Sequence, residues 1–189
     1  MSYLSKQQLS SIGFKSIGDN VLISDKASFY GVQNITIGNN VRIDDFCILS
    51  AGEEDFLIGN YIHIGCYTSL IGKGKIILCD YSNISSKVAI YSSNDDYSGE
   101  FMTNPMVPSD LTNVTKGSVV IKKHVIIGSG CVLLPNVTIG EGVAIGALSL
   151  VNSNCEEFNI YAGSPVKKIK KRKKDLLELE KKIINNYDY

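Results

Sequence analysis

One aliphatic residue returns at every sixth position over much of this chain, and polar or small residues separate the returns. Ile37, Ile43 and Leu49 fall in step. Ile58, Ile64 and Leu70 follow after a slip, and Leu78, Ile84 and Ile90 after another. Ile121, Ile127, Leu133, Ile139, Ile145 and Val151 then run without a break. The residue two before each is also apolar or small, as in Val119, Val125, Cys131, Val137, Val143 and Ser149 of the last run. The residue between is freer: Val120, Ile126, Val132, Thr138, Ala144 and Leu150. In–out–in over three residues is the alternation of a short strand. Gly, Asn, Ser and Asp fill the gaps, as in IGSG, LPN, IGEG and IGNN. Gly, Asn and Asp in particular accept the left-handed backbone of a sharp turn at low cost. An α-helix does not fit, because positions six apart do not share one face at 3.6 residues per turn. Strands of a sandwich would alternate over longer runs and lack the fixed phase. Each unit therefore predicts one strand and one turn, and three units close a triangular coil of about eighteen residues. A single coil cannot bury its aliphatic side chains, whereas stacked coils share a continuous core. The predicted fold class is all-β, a parallel β-helix of hexapeptide repeats over residues 21–166.

The breaks in the pattern predict the other elements. Nine positions separate Leu49 from Ile58 and eight separate Leu70 from Leu78, so longer corners are expected at 50–55 and 71–75. Residues 91–118, YSSNDDYSGEFMTNPMVPSDLTNVTKGS, carry no repeat and predict a projecting loop. So long a loop on so regular a scaffold is commonly functional. Residues 5–12, SKQQLSSI, predict a short helix within an N-terminal cap over 1–20, which would protect the open end of the stack. Within the tail, 167–189, Leu176, Leu177, Leu179 and Ile183 recur at helical spacing with charges between. They predict a C-terminal amphipathic α-helix over about 173–186.

Composition narrows the function classes. With 19 basic and 19 acidic residues, net charge gives nucleic-acid binding no support. An apolar fraction of 44% argues against disorder. Cys47, Cys66, Cys79, Cys131 and Cys155 are odd in number and widely spaced, with no CxxC pair. That disfavours a disulfide scaffold or structural zinc and suits reduced thiols, so no metal is expected. MSYLSKQQLSSIGF holds no apolar run with a cleavage signal, and no stretch approaches the roughly 18 apolar residues of a membrane span. A cytoplasmic protein without stable membrane insertion is expected.

IIGSGCVLLPNVTIGEGVAIGALSLV followed by YAGSPVKKIKKR resembles the hexapeptide-repeat acetyltransferases, and the resemblance covers about residues 30–172. It implies a left-handed parallel β-helix with a projecting loop, assembled as a homotrimer with its active sites between subunits. It also implies acetyl-CoA lying in a groove between two subunits, and a loop like 91–118 walling the acceptor pocket. The outward Val120, Ile126, Val132 and Leu150 suit a subunit seam. The loop phrases SSNDDYSG and TNP are most similar to those of O-acetyltransferases. The leading expectation is therefore an acetyl-CoA-dependent O-acetyltransferase acting on a sugar hydroxyl in surface polysaccharide biosynthesis, of O-antigen or capsule. The alternatives are an N-acetyltransferase of a nucleotide-linked amino sugar and a noncatalytic trimeric scaffold.

Acyl transfer to a hydroxyl or amine needs a proton acceptor, and histidine suits the task. His63, in IGNYIHIGCY, stands one before the inward Ile64 and so points outward. It is similar to the VHI histidine of the sugar N-acetyltransferases. His124 stands three before Ile127, at a corner. The resemblance fails at the usual bases: Asp95 takes the place of the loop histidine, and Glu54 that of the histidine nine before the VHI element. Three readings follow. His63 is the base, oriented by Asp95 or Asp96; or Asp95, Asp96 or Glu54 is itself the base; or the site is inactive. The first is the expected one. For coenzyme A, the small turns at Ser129–Gly130 and Gly146–Ala147 would admit the pantetheine arm, and Lys167, Lys168 and Arg172 would meet the phosphates.

Overall fold

The computed structural model describes residues 2–187, with side chains through residue 183. It is a triangular prism of parallel strands. The first face stacks Ser16–Ile17, Ile35–Ile37, Phe56–Ile58, Ile76–Leu78, Val119–Ile121 and Val137–Ile139. The second stacks Leu22–Ile23, Val41–Ile43, Ile62–Ile64, Asn83–Ile84, Ile126–Ile127, Ala144–Ile145 and Asn159–Ala162. The third runs from Ser28–Tyr30 through Ile48–Ala51, Ser69–Gly72, Ala89–Tyr91 and Val132–Leu133 to Leu150–Val151.

All fifteen aliphatic residues picked out by the sixfold phase are buried, none above 3% exposed, and each face receives five of them. Each fully buried Ile or Leu contributes roughly 1.5–3 kcal/mol, so the repeat itself supplies the core. The residues two before them in the last run are buried as well, and those between point outward.

The corners are tight. One column of corner residues, Tyr61, Tyr81 and His124, has left-handed backbone with φ of 55°, 60° and 60°. That conformation costs a non-glycine residue about 1 kcal/mol or more. Stacking offsets it: Tyr61 lies on Tyr81 at 5.0 Å, and Tyr81 lies on His124 at 5.1 Å with the planes 5° apart.

The breaks in the repeat differ in detail from expectation. Strands persist through Ala51 and Gly72, so the longer corners shrink to 52–55 and 73–75. Both coils lengthen at the same corner, which keeps Ser50 opposite Ile71 and Ala51 opposite Gly72. The first coil already begins at Ser16, paired to Thr36. Helix α1 is Lys6–Ile12, capped by Ser5 and Gln8 in a reciprocal box. The projecting loop leaves the prism between the third and first faces on a two-stranded neck, Ser93–Asn94 against Thr115–Lys116. An antiparallel strand, Lys167–Lys171, returns along Asn159–Ala162 before helix α2, Leu176–Tyr187. The strand was not expected, because all five of its residues are exposed and carry no burial period.

Candidate active site

Above the outward Leu22, residues of the second face form a ladder, Arg42, His63, Asn83, Ile126, Ala144 and Ile160, one per coil. Its first three rungs are polar and the rest apolar. His63 projects outward, as its phase predicts, with its side chain 43% exposed. Its Nε2 lies 2.8 Å from Asp44 Oδ2, and its Nδ1 lies 3.2 Å from Asn83 Oδ1. Arg42 Nε donates to the other oxygen of Asp44 at 2.7 Å. That hydrogen bond, with the attraction of the carboxylate, pushes the Arg42 guanidinium further up from its ordinary value. Asp44 is buried although it lies in the turn just after a strand, so its charge is held under the surface by Arg42 and His63.

The carboxylate on His63 within one chain is therefore Asp44, not Asp95 or Asp96. The cause is topological: Asp44 follows inward Ile43 on the coil just below His63, whereas the loop leaves from the edge between the other two faces. Asp95 is exposed. Asp96 closes a local turn, accepting from Ser98 Oγ at 2.9 Å and from the Gly99 amide at 3.0 Å. Glu54 accepts from the Lys75 amide at 3.2 Å and lies 3.6 Å from Lys116 Nζ, which ties it to the neck of the loop.

His124 is at a corner, as expected, but α2 covers it. It is buried, with Nε2 2.8 Å from Glu180 Oε2. Glu180 also accepts from Lys123 at 2.6 Å. Partial burial pushes the Glu180 carboxyl up, yet the hydrogen bonds from Lys123 and His124 outweigh it and leave the group below its ordinary value.

Ser129–Gly130 and Gly146–Ala147 occupy one corner on neighbouring coils, where the Leu148 amide donates to Ser129 O at 2.9 Å. Leu148 itself is 79% exposed there. Lys168 pairs with Glu156 at 2.9 Å. Arg172 Nη1 donates to the carbonyls of His124, Gly142 and Val143, and burial lowers its affinity for the proton. Lys167 is exposed at the start of the returning strand. The five cysteines are free, and burial pushes the Cys47 thiol up to about 11, out of the range of a ready nucleophile. Among the described residues no three His, Cys, Asp or Glu side chains converge as a metal site, and no helix is long and apolar enough to cross a membrane.

Sequence reasoning missed Arg42, Asp44 and Asn83. A signal existed: each flanks an inward residue, at one before Ile43, one after Ile43 and one before Ile84, so stacking the coils would have placed them around His63.

Residues 118–153 match the bacterial transferase hexapeptide family (six repeats). An Escherichia coli dTDP-4-amino-4,6-dideoxy-D-glucose acyltransferase is 61% identical over 95% of this chain and 94% of its own. A protein of Escherichia coli K12, provisionally assigned to lipopolysaccharide O-acetylation, is 32% identical over 74% of this chain and 69% of its own. Among solved structures, the N-acyltransferase AntD of Bacillus cereus with dTDP and 3-hydroxybutyryl-CoA superposes with a TM-score of 0.94 at 48% identity, covering 100% of this chain and 99% of its own. A variant of AntD was solved with dTDP-4-amino-4,6-dideoxyglucose and coenzyme A, at a TM-score of 0.93 and 49% identity, with 97% of each chain covered.

Proposed function

This chain belongs to the hexapeptide-repeat sugar acyltransferases of the left-handed β-helix type, coenzyme A-dependent enzymes, and from that premise we propose that it N-acylates a dTDP-linked 4-amino-4,6-dideoxy sugar. The observation that carries this reading is the 61% identity over nearly the whole length of the amino-sugar acyltransferase. It replaces sugar O-acetylation as the leading expectation and takes up the alternative of a nucleotide-linked amino sugar. Because AntD was captured with 3-hydroxybutyryl-CoA, the donor class is a short acyl-CoA rather than acetyl-CoA alone.

The missing histidine of the loop fits an amine acceptor. The amine nitrogen attacks the thioester carbonyl carbon with its own lone pair. The tetrahedral adduct then breaks its C–S bond, and coenzyme A leaves as a thiolate. Bond formation turns the nitrogen into a strongly acidic centre, so a carboxylate is basic enough to take its proton; a hydroxyl would need help earlier and from a stronger base. Asp95 is the proton acceptor in this reading. AntD has been crystallised with substitutions at a serine and at an aspartate ten positions further along, and Ser85 and Asp95 stand at that separation here. Ser85 follows inward Ile84, two residues beyond Asn83 on the same coil. His63 lines the acceptor side of the site, Asp96 shapes the loop, and the corner of Ser129, Gly130, Gly146 and Ala147 takes the pantetheine arm. Lys167 and Lys168 are the cationic candidates for the phosphates, while Arg172 is committed to backbone carbonyls.

The assembly in this reading is a homotrimer, in which the loop of one subunit brings Asp95 to the second face of its neighbour. Exposed Tyr97, Phe101, Met102, Met106 and Leu111 on the loop support it, since such side chains want cover.

The test is to incubate the purified protein with dTDP-4-amino-4,6-dideoxyglucose and either acetyl-CoA or 3-hydroxybutyryl-CoA, following thiol release and product mass. The amino sugar should gain one acyl group while dTDP-glucose gains none. Acylation of hydroxyl acceptors with the amino sugar ignored would overturn the reading.

A further inference from the structure

Both ring nitrogens of His63 face side-chain groups of this chain, Asp44 at 2.8 Å and Asn83 at 3.2 Å. An ionised carboxylate only accepts hydrogen bonds, so Nε2 carries the proton. Nδ1 then has two states. Bare, it accepts, and Asn83 must present its NH2 group. Protonated, it donates, and Asn83 must present Oδ1, the orientation seen in the structure. The two ends of an amide are nearly isosteric, so a half-turn of the side chain serves either state at the same place. The protonation of His63 and the orientation of the Asn83 amide are thus one variable.

The charged groups bonded to this ring come from the coil below, Asp44 directly and Arg42 through it. The coil above contributes neutral Asn83, and the rung beyond that is apolar Ile126. The network therefore runs Arg42–Asp44–His63–Asn83 across three coils and ends on an amide beside Ser85.

We propose that His63 is a positioning residue and that Asn83 is the group it positions. With His63 neutral, Asn83 turns Oδ1 to the groove and accepts an N–H from an incoming amine. With His63 charged, it turns NH2 outward and offers a donor instead. Asp44 sets the switch by fixing the Nε2–H tautomer. His63 does not receive the substrate proton, because Asn83 covers Nδ1 and Asp44 covers Nε2. The inference rests on the amine-acceptor reading only for what the amide meets; the switch itself belongs to the free protein.

Nitrogen-15 NMR of the full chain separates the two. It has two histidines, and His63→Gln identifies the resonances of His63 by their loss. In the wild type, neutral His63 should populate the Nε2–H tautomer, and the side-chain amide of Asn83 should titrate with the same midpoint as the ring. Asp44→Asn should mix the tautomers. His63→Gln should abolish the Asn83 titration, raise KM for the amino sugar about tenfold and leave the pH profile of kcat in place. A neutral Nδ1–H tautomer in the wild type, or an Asn83 amide flat through the ring titration, overturns the switch whatever the acceptor proves to be. Loss of the pH dependence of kcat in His63→Gln makes His63 the base and overturns its positioning role.

Discussion

The two histidines set the same two atoms to opposite uses. In each, Nε2 lies 2.8 Å from a carboxylate oxygen. At His63 that carboxylate comes from the neighbouring coil, the second nitrogen meets an amide, and the side chain is 43% exposed. At His124 it comes from a helix 56 residues further along, the ring lies flat on Tyr81, and the side chain is 7% exposed. The first arrangement leaves a polar patch open to solvent. The second fastens α2 to the prism. The chemistry of a histidine here is decided by what covers it, and the repeat phase determines that only for neighbours within the stack.

The largest effects should separate activity from stability. Asp95→Asn is expected to lower kcat by about 10²–10⁴, while the exposed position leaves the melting temperature unchanged. Steady-state rates and thermal unfolding on one preparation check both halves. Wild-type rates from this variant would return the base to the face of His63 and remove the loop from the chemistry.

His124→Ala should do the reverse. It removes a buried ring from the stack and strips one partner from Glu180, at a cost of about 2–3 kcal/mol. Urea unfolding measures the loss, and turnover per folded molecule should hold. A fall in turnover with stability intact would mean that the corner belongs to the site.

Glu180→Gln tests the same latch through pH. The folded carboxyl lies below its ordinary value, against about 4.3 when unfolded. A depressed carboxyl contributes stability that is fully present above the unfolded value and is lost as pH falls through the folded one. The wild type should thus exceed the variant by about 1–2 kcal/mol at neutral pH, and the gap should shrink as pH falls below about 4.3 and close once it passes the lowered folded value. Melting temperatures across that range give the answer; a gap independent of pH would assign the effect to packing.

The same contrast marks how far the sequence is legible. Core, outward ladder and projecting loop follow from the spacing of Ile, Leu and Val, because burial in a stacked coil has a fixed period. Asp44 and Asn83 were within reach of that period, since each flanks an inward residue one coil from His63. Glu180 was not. It meets His124 only because Lys167–Lys171 turns back along the prism and directs α2 to the corner, and no periodicity encodes a return made by exposed lysines. Asp95 lies between these cases: its place in the loop is legible, but its partner in the reaction lies on another subunit in the proposed assembly.

The smallest expected effect falls where the two regions touch. Tyr81 stacks under His124, Asn83 meets His63, and Ser82 stands between them with its side chain turned into the core. By the strand register it lies between Ile62 and Val125, and its Oγ has no partner among the described residues. A buried hydroxyl without a partner carries a desolvation cost of about 1–3 kcal/mol, part of which its removal recovers. Ser82→Ala leaves both neighbours in place and takes away only that oxygen. If patch and latch are independent, the variant should gain up to about 1 kcal/mol in urea unfolding with the tautomer of His63 and the steady-state rates unmoved. A shift of the His63 resonances in Ser82→Ala would show that the core residue transmits strain from one histidine to the other, and the division between them would then have to be drawn elsewhere.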